Sequence, residues 1–238
     1  MSFTLLNDGK SFAWQASDSP THVFLHGWER DSSDFEYFFN KVNGLFIDLP
    51  GFGKSPKPDS VWSPNDYAKW LSKVVPNSVN TVVGHSFGGR IATHFINNLQ
   101  NIDQCILVGT PLSSRNSRGS SGNLRLKILK KANNFNLVSE EYLEKYKKNN
   151  GSTDYKNADG LMRDILVAAV NDDLSEIIKI ITIPVVLIWG EDDKEVPLRV
   201  AQEALGQISN SRLFVLKNIG HNPFIKNSDE VMKIIEKS

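Results

Sequence analysis

Short apolar segments rich in β-branched residues alternate along the chain with stretches of helical periodicity. Eight such segments predict β-strands: Phe3–Leu6, Phe12–Ala16, Thr21–Leu25, Leu45–Asp48, Thr81–Val83, Cys105–Val108, Val185–Trp189 and Leu213–Leu216. Several are continuously apolar, which is typical of parallel strands buried on both faces. The alternation predicts an α/β fold with an open, mostly parallel sheet flanked by helices. The first two segments lie too close together for a crossover helix, so we expect them to form an antiparallel hairpin at one edge.

Predicted helices fall into two groups, one between the strands and one in a long insertion. The first group is a helix that begins near Pro64 with Ser63 as N-cap, then Phe87–Leu99, Leu198–Leu205 and Asp229–Glu236. No strand is predicted between Leu112 and about Ile181, where the helical candidates are Leu124–Ala132, Glu140–Lys148 and Leu161–Val170. We therefore expect residues 1–111 and 182–238 to form the core and residues 112–181 to form a helical cap.

The segment Gly84-His85-Ser86-Phe87-Gly88 lies where a predicted buried strand meets a predicted helix. It fits the pattern G-x-S-x-G, in which small residues permit a sharp turn that exposes a serine hydroxyl. A tight turn without chemistry would also explain the glycines. The strand-to-helix context favours a nucleophile, and we predict that Ser86 is one.

A serine nucleophile needs a base and an acid that orients the base. His221, in the segment NIGHNPF, directly follows the last predicted strand. The turn after the preceding strand, WGEDDKEVP, offers three acids, and the spacing G-x-x-D-x-x-x-P selects Asp193. Asp192 is expected to be solvated or to cap the turn. The order Ser86, Asp193, His221 is that of a triad built on this kind of elbow.

Acyl transfer also needs N–H donors for the oxyanion of the intermediate. One is expected from the backbone of Phe87, the residue after the serine. The other is expected from Trp28, in the segment HGW after the Thr21–Leu25 strand, and the Trp28 side chain is a candidate wall of the substrate pocket. His26 is interpreted as a structural residue that hydrogen-bonds the backbone.

The segment DLPGFGKS ends like a phosphate-binding loop, with Gly53-Lys54-Ser55. That motif requires a glycine where this chain has Asp48, and Pro50 would remove a backbone N–H from the cradle. We therefore interpret the segment as the turn that follows the Leu45–Asp48 strand.

Five segments, HGW, DLPGFGKS, GHSFGG, WGEDD and GHNPF, together resemble the α/β-hydrolase superfamily over nearly the whole chain. Within it the chain most resembles the small capped serine carboxylesterases, a group that includes the pimeloyl-acyl carrier protein methyl ester esterases. The resemblance implies hydrolysis of carboxylic esters through an acyl-enzyme, without a metal or cofactor. Glu29 is a departure, because many relatives carry glycine or proline after the aromatic residue of the HGW segment.

Two other functions remain open for this fold. One is a lyase of the menaquinone-pathway type, which uses the same triad to abstract a proton. In that enzyme an arginine in the Ser-x-Gly-Gly-Arg position helps bind an acidic substrate, and Arg90 stands in this position here. A helix-surface arginine paired with an acid is the simpler interpretation of Arg90. The other open function is a non-catalytic receptor.

Charge is distributed unevenly along a chain whose net charge is zero. Residues 113–148 hold nine lysines and arginines and three glutamates, a net charge of +6. A solvated helix face explains most of it, but Arg115, Arg118 and Arg125 are also candidates for binding an acidic ester or an acyl carrier protein. The overall balance gives no reason to expect a nucleic-acid partner.

Cysteine content and hydropathy indicate the compartment. The single cysteine, Cys105, rules out an intramolecular disulfide, as is common in reducing compartments. No apolar run approaches the ~18 residues of a membrane span, and the N-terminal segment lacks the features of a signal peptide. We therefore expect a cytoplasmic protein without a membrane span.

Overall fold

The computed structural model describes residues 1–98, 101–112, 133, 138–142 and 153–238. The strands in this part of the chain are β1 (Ser2–Leu5), β2 (Phe12–Gln15), β3 (His22–Leu25), β4 (Gly44–Ile47), β5 (Thr81–His85), β6 (Gln104–Val108), β7 (Val185–Gly190) and β8 (Ser211–Leu216). They form one sheet in the order β1-β2-β4-β3-β5-β6-β7-β8. All neighbouring pairs are parallel except β1 with β2 and β2 with β4. The predicted strands and the edge hairpin are confirmed.

The helices of the described residues surround this sheet. They are α1 (Pro64–Val74), α2 (Phe87–Asn98), α3 (Thr153–Asn157), α4 (Gly160–Asn171), α5 (Arg199–Leu205), α6 (Pro223–Lys226) and α7 (Ser228–Glu236), with 3₁₀ helices at Ser32–Phe38 and Ile178–Ile180. The start of α1 is as predicted: Ser63 and Asp66 form a reciprocal capping box that satisfies two orphan N–H groups. Both 3₁₀ helices, α3 and α6 were not predicted.

Side-chain alternation along the strands divides the core between the two faces of the sheet. Val23 and Leu25 point to one face and Phe24 to the other, as the two-residue period of a strand requires. The first face packs against α1, α2 and α4. The second packs against the 3₁₀ helix Ser32–Phe38 and against α7, with an aromatic cluster around Phe24.

The long connection between β6 and β7 contains α3 and α4, and α4 matches the predicted helix Leu161–Val170 within a few residues. The predicted helix Leu124–Ala132 lies outside the described residues, and of Glu140–Lys148 only residues 140–142 are described, as helix. The division into core and cap remains a prediction. None of the helices in the described part of the chain is long and apolar enough to span a bilayer.

Strand order determines where a site can lie. The chain passes from β3 outward to β4 and then returns to β5 on the other side of β3. Such a reversal opens a crevice at the carboxyl ends of the two diverging strands, which is where open α/β sheets bind ligands. The residues that directly follow β3 and β5 border this crevice.

Gly190, the last residue of β7, keeps two further loops together at the same edge. A Cβ atom at this position would overlap the backbone carbonyl oxygens of Ile219 and Gly220, in the loop that follows β8. The turn after β7 and the loop after β8 therefore touch through backbone atoms, and no side chain fits between them.

We expect Gly190→Ala to lower the free energy of unfolding by about 1–3 kcal/mol, the usual cost of overpacking, because the loop after β8 must move away. Gly206→Ala is the matched control: Gly206 has φ −76° and a Cβ there would lie 3.6 Å from its nearest neighbour. The control should be neutral or gain ~0.4–1 kcal/mol from a less flexible unfolded chain. Urea unfolding of both variants is the measurement, and equal stabilities would contradict the close packing at Gly190.

Candidate active site

Ser86 occupies the sharp corner between β5 and α2. Its φ is 49°, in the left-handed region that non-glycine residues rarely adopt. The Ser86 N–H donates to the Val108 carbonyl at 2.9 Å, and the Gly88 N–H donates to the His26 carbonyl at 3.0 Å. A Cβ at Gly88 would overlap the carbonyl group of Leu25. Backbone contacts on both sides thus hold the corner, and the serine hydroxyl is left partly exposed.

The three residues predicted from the spacing meet in one chain of hydrogen bonds. His221 Nε2 lies 2.9 Å from Ser86 Oγ, and His221 Nδ1 lies 2.8 Å from Asp193 Oδ2. The other oxygen of the buried Asp193 carboxylate accepts the backbone N–H groups of Glu195 and Val196, at 2.9 and 2.8 Å. The remaining oxygen, Oδ2, faces His221 Nδ1. Because a carboxylate can only accept, Nδ1 must be the protonated nitrogen.

Asp192, the alternative acid, lies on the outside of the same turn. Its side chain is exposed, and its backbone N–H donates to the Ile219 carbonyl at 2.9 Å. The expectation that Asp192 is solvated is confirmed.

His85 holds the backbone of His221 through a hydrogen bond. The Nε2–H of His85 donates to the backbone carbonyl of His221 at 2.9 Å. Burial, followed by the positive charge of His221, lowers the pKa of His85 to about 4, so its ring stays neutral. His85 was not among the predicted site residues, although it stands directly before the serine.

Three carboxylates of the described residues raise the pKa of His221, and two of them were not predicted. Burial lowers the pKa of His221, but the hydrogen bond and negative charge of Asp193 raise it. The charges of Glu195 and Asp154 raise it further, so that the pKa lies above the ordinary value for histidine. Glu195 lies two residues beyond Asp193, and Asp154 belongs to α3. No local pattern marks Asp154, because only the fold brings α3 to the turn after β7.

The residues of the two predicted oxyanion donors, Phe87 and Trp28, line the same cavity as Ser86. Phe87 is the first residue of α2, so its N–H has no partner within the helix. Among the hydrogen bonds of the described residues, neither the Phe87 N–H nor the Trp28 N–H has a protein acceptor. Both therefore remain available to a ligand oxygen.

Glu29 bends the loop that carries Trp28. Its φ is 55°, and the Arg30 N–H donates back to the Gly27 carbonyl at 3.3 Å. A positive φ favours glycine, so Glu29 holds a backbone conformation that residues with a Cβ atom rarely adopt. In this chain the Glu29 carboxylate accepts a hydrogen bond from Asn157 Nδ2 at 3.3 Å, so α3 contacts the oxyanion loop.

His26 and the DLPGFGKS segment have structural roles, as expected. His26 Nδ1–H donates to the Gly27 carbonyl at 2.8 Å, and Nε2 accepts the Leu49 N–H at 3.0 Å. The Asp48 carboxylate accepts the backbone N–H groups of Ser32 and Lys54. Asp48 thus organises the turn after β4.

A cavity of about 670 Å³ opens above Ser86 and His221. Trp28 lines it, as predicted, with its ring packed edge-on against Phe87 at a centroid distance of 5.3 Å. The wall from α4 is apolar, and the turn after β7 adds charged groups. These further lining residues are Leu166, Ala169, Val170, Lys194, Glu195 and Arg199. The volume lies in the range of small-molecule sites.

Arg90 also lines this cavity but is not a surface residue. Arg90 is only 2% exposed, so its interpretation as a helix-surface residue was wrong. The expected acidic partner is present: Arg90 Nη1 donates to the Asp172 carbonyl at 2.6 Å and lies 3.6 Å from its carboxylate. His94 Nε2 lies 3.1 Å from both oxygens of the same carboxylate. This cluster joins α2 to the end of α4. The other candidate binding residues, Arg115, Arg118 and Arg125, lie outside the described residues.

Comparison with known proteins gives three kinds of similarity. The sequence profile described as "Alpha/beta hydrolase family" matches residues 23–234. The pimeloyl-[acyl-carrier protein] methyl ester esterase of Vibrio campbellii is 24% identical over 89% of this chain and 92% of its own length. An esterase from Exiguobacterium antarcticum superposes with a TM-score of 0.73 at 21% identity, covering 99% of this chain and 98% of the other. A bromoperoxidase from Bacillus anthracis reaches 0.74 at 19% identity, with 99% of both chains covered.

Proposed function

The chain belongs to the α/β-hydrolase family, and we propose that it hydrolyses carboxylic esters through an acyl-enzyme formed on Ser86. The observation that carries this proposal is the hydrogen-bonded chain from Ser86 through His221 to the buried Asp193. Such a chain is what a serine hydroxyl needs to become a nucleophile. The relatives named as esterases support an ester as the substrate class.

In the acylation half-reaction, Ser86 Oγ attacks the ester carbonyl while His221 Nε2 takes the hydroxyl proton. Asp193 accepts the Nδ1–H throughout and stabilises the imidazolium that forms. The N–H groups of Phe87 and Trp28 stabilise the oxyanion of the tetrahedral intermediate. When the intermediate collapses, the bond to the alcohol oxygen breaks, and that oxygen takes the proton from Nε2.

In the deacylation half-reaction, water replaces the alcohol. His221 Nε2 takes a proton from the water as its oxygen attacks the acyl carbonyl. Collapse of the second intermediate returns the proton to Ser86 Oγ and releases the carboxylic acid. The protein ends in its starting state, without a metal or cofactor in any step.

For the substrate, we favour a small-alcohol ester whose acyl chain carries a distal acidic group or is linked to an acyl carrier protein. Several relatives are named pimeloyl-[acyl-carrier protein] methyl ester esterases, and the +6 charge of residues 113–148 would attract an ester of this kind. Arg115, Arg118 and Arg125 are the proposed contacts. Arg90 is a weaker candidate, because it is already bonded to Asp172. This is also why a lyase with Arg90 as the anion-binding group is less well supported.

The first test is covalent labelling. Because Ser86 occupies the strand–helix corner next to His221, an organophosphonate should add one group to the intact protein, and peptide mapping should locate it on Ser86. Ser86→Ala should remain unlabelled. Turnover of short p-nitrophenyl esters by the unlabelled protein separates a hydrolase from a lyase or a receptor. An adduct at another residue, or no adduct under conditions that label a control esterase, would show that Ser86 is not the nucleophile.

The second test compares the two neighbouring acids. Asp193→Asn should lower kcat on the order of 10³–10⁴-fold, because an amide no longer favours the required tautomer and charge of His221. Asp192→Asn, with its exposed side chain, should change kcat little. Steady-state kinetics on one p-nitrophenyl ester measures both, and the reverse ranking would show that the turn serves a different acid.

The third test concerns the acyl group. Esters with a distal carboxylate, or carried on acyl carrier protein, should show higher kcat/KM than neutral esters of equal length. The advantage should shrink from low salt to 1 M salt, because the Debye length falls from ~10 Å at 0.1 M to ~3 Å. Replacing Arg115, Arg118 and Arg125 together by glutamine should remove the preference and spare neutral esters. Equal rates on both ester classes at low salt would contradict a role of these arginines in substrate binding and would favour a solvated surface.

A further inference from the structure

The nitrogen of His221 that faces Ser86 has a second neighbour. Glu195 Oε2 lies 3.5 Å from His221 Nε2, whereas Ser86 Oγ lies 2.9 Å from the same atom. The Glu195 side chain is 69% exposed and lines the cavity, so solvent reaches it from the substrate side. Its backbone N–H is bonded to Asp193, which fixes the place of Glu195 in the turn.

Asp154 adds a second acidic group to the same cavity. It lines the cavity from α3, and the pKa of its half-buried carboxyl is raised, first by burial and then by the charge of Glu195. His221 therefore meets an acid at each ring nitrogen, the buried Asp193 at Nδ1 and the exposed Glu195 at Nε2, and the charge of Asp154 acts on the ring as well.

We propose that Glu195 is a positioning residue that holds the protonated form of His221 in the unliganded enzyme, competes with Ser86 for the Nε2–H, and so determines the pH at which activity begins. The inference rests on the proposed function, because it assumes that His221 is the base.

The reason is the hydrogen-bonding inventory of the two groups. A carboxylate can only accept, so Glu195 has nothing to accept from a neutral imidazole whose Nε2 carries a lone pair. Once Nε2 is protonated, the same carboxylate accepts its N–H and attracts its charge. Glu195 thus favours one protonation state over the other. It never takes the proton itself, which passes from Ser86 to Nε2 and on to the alcohol oxygen.

The surroundings of His221 explain why Glu195 can be separated from the other acids. The Asp193 side chain is fully buried, so salt screens its effect on His221 much less, and Asp193 is needed for the proposed reaction. His85, packed below from β5, stays neutral because burial lowers its pKa to about 4. Glu195 is exposed, so its effect should be screened by salt.

The experiment is the pH dependence of kcat/KM for a short p-nitrophenyl ester, at about 0.01 M and about 1 M ionic strength. For Glu195→Gln we expect the acid limb to move to lower pH by roughly 0.3–0.7 unit at low salt, the size expected for an exposed ion pair, and by less at high salt. Asp154→Asn should move the limb in the same direction. Glu195→Asp, which keeps the charge, should restore part of the wild-type position.

Glu191→Gln is the matched control. Glu191 is an exposed acid at the start of the same turn, and its carboxylate accepts the Asn218 N–H at 3.4 Å, away from His221. Glu191→Gln removes the same charge from the protein, but Glu191 is not among the acids that raise the pKa of His221. The acid limb should therefore not move. A nitrogen-detected NMR titration of the His221 ring gives the same comparison without turnover, which keeps the test valid if a variant is slow.

An unchanged acid limb for Glu195→Gln, or equal shifts for Glu195→Gln and Glu191→Gln, would overturn the role of Glu195. Either result in an enzyme that still hydrolyses esters and is labelled on Ser86 leaves the proposed function intact. A wild-type protein that neither turns over esters nor is labelled would instead overturn the proposed function.

Discussion

The backbone conformation of Ser86 is the constraint on which the rest of the site depends. A φ of 49° costs a serine roughly 1–2 kcal/mol relative to the right-handed region, and it persists only where the surroundings over-determine it. Here the N–H of Ser86 is bonded to Val108 at the end of β6, and that of Gly88 to His26 just beyond β3. The strands on both sides of β5 therefore hold the corner, and the hydroxyl points at His221 because the sheet is in register.

Much of this arrangement could be predicted, because it depends on local patterns. The apolar run before Gly84, the small residues around Ser86 and the spacing that selects Asp193 all lie within short segments. Arg90 shows the limit of such reasoning. A single charge on a helix is expected to be exposed, since unpaired charges are rarely buried. Only the fold brings Asp172, at the end of α4, over Arg90 and makes its burial possible. Glu195 and Asp154 were missed for the same reason.

Two adjacent histidines illustrate how the surroundings divide chemical roles. The rings of His85 and His221 are 5.0 Å apart, yet their pKa values are shifted in opposite directions. His85 is buried, and no carboxylate of the described residues is bonded to its ring, so desolvation dominates and it remains a neutral donor. His221 is also buried, but the acids around it outweigh desolvation. Titratable pairs whose environments separate their pKa values are typical of acid–base sites.

The fold alone does not decide which reaction this site performs, since an esterase and a bromoperoxidase superpose on the chain about equally well. The charges around His221 are more informative. With Glu195 Oε2 3.5 Å from Nε2, an anionic leaving alcohol would meet repulsion at the atom that must protonate it. A small neutral alcohol would not. Under the ester hydrolysis that we propose, an acidic group on the substrate is therefore better accommodated in the acyl chain than in the leaving alcohol.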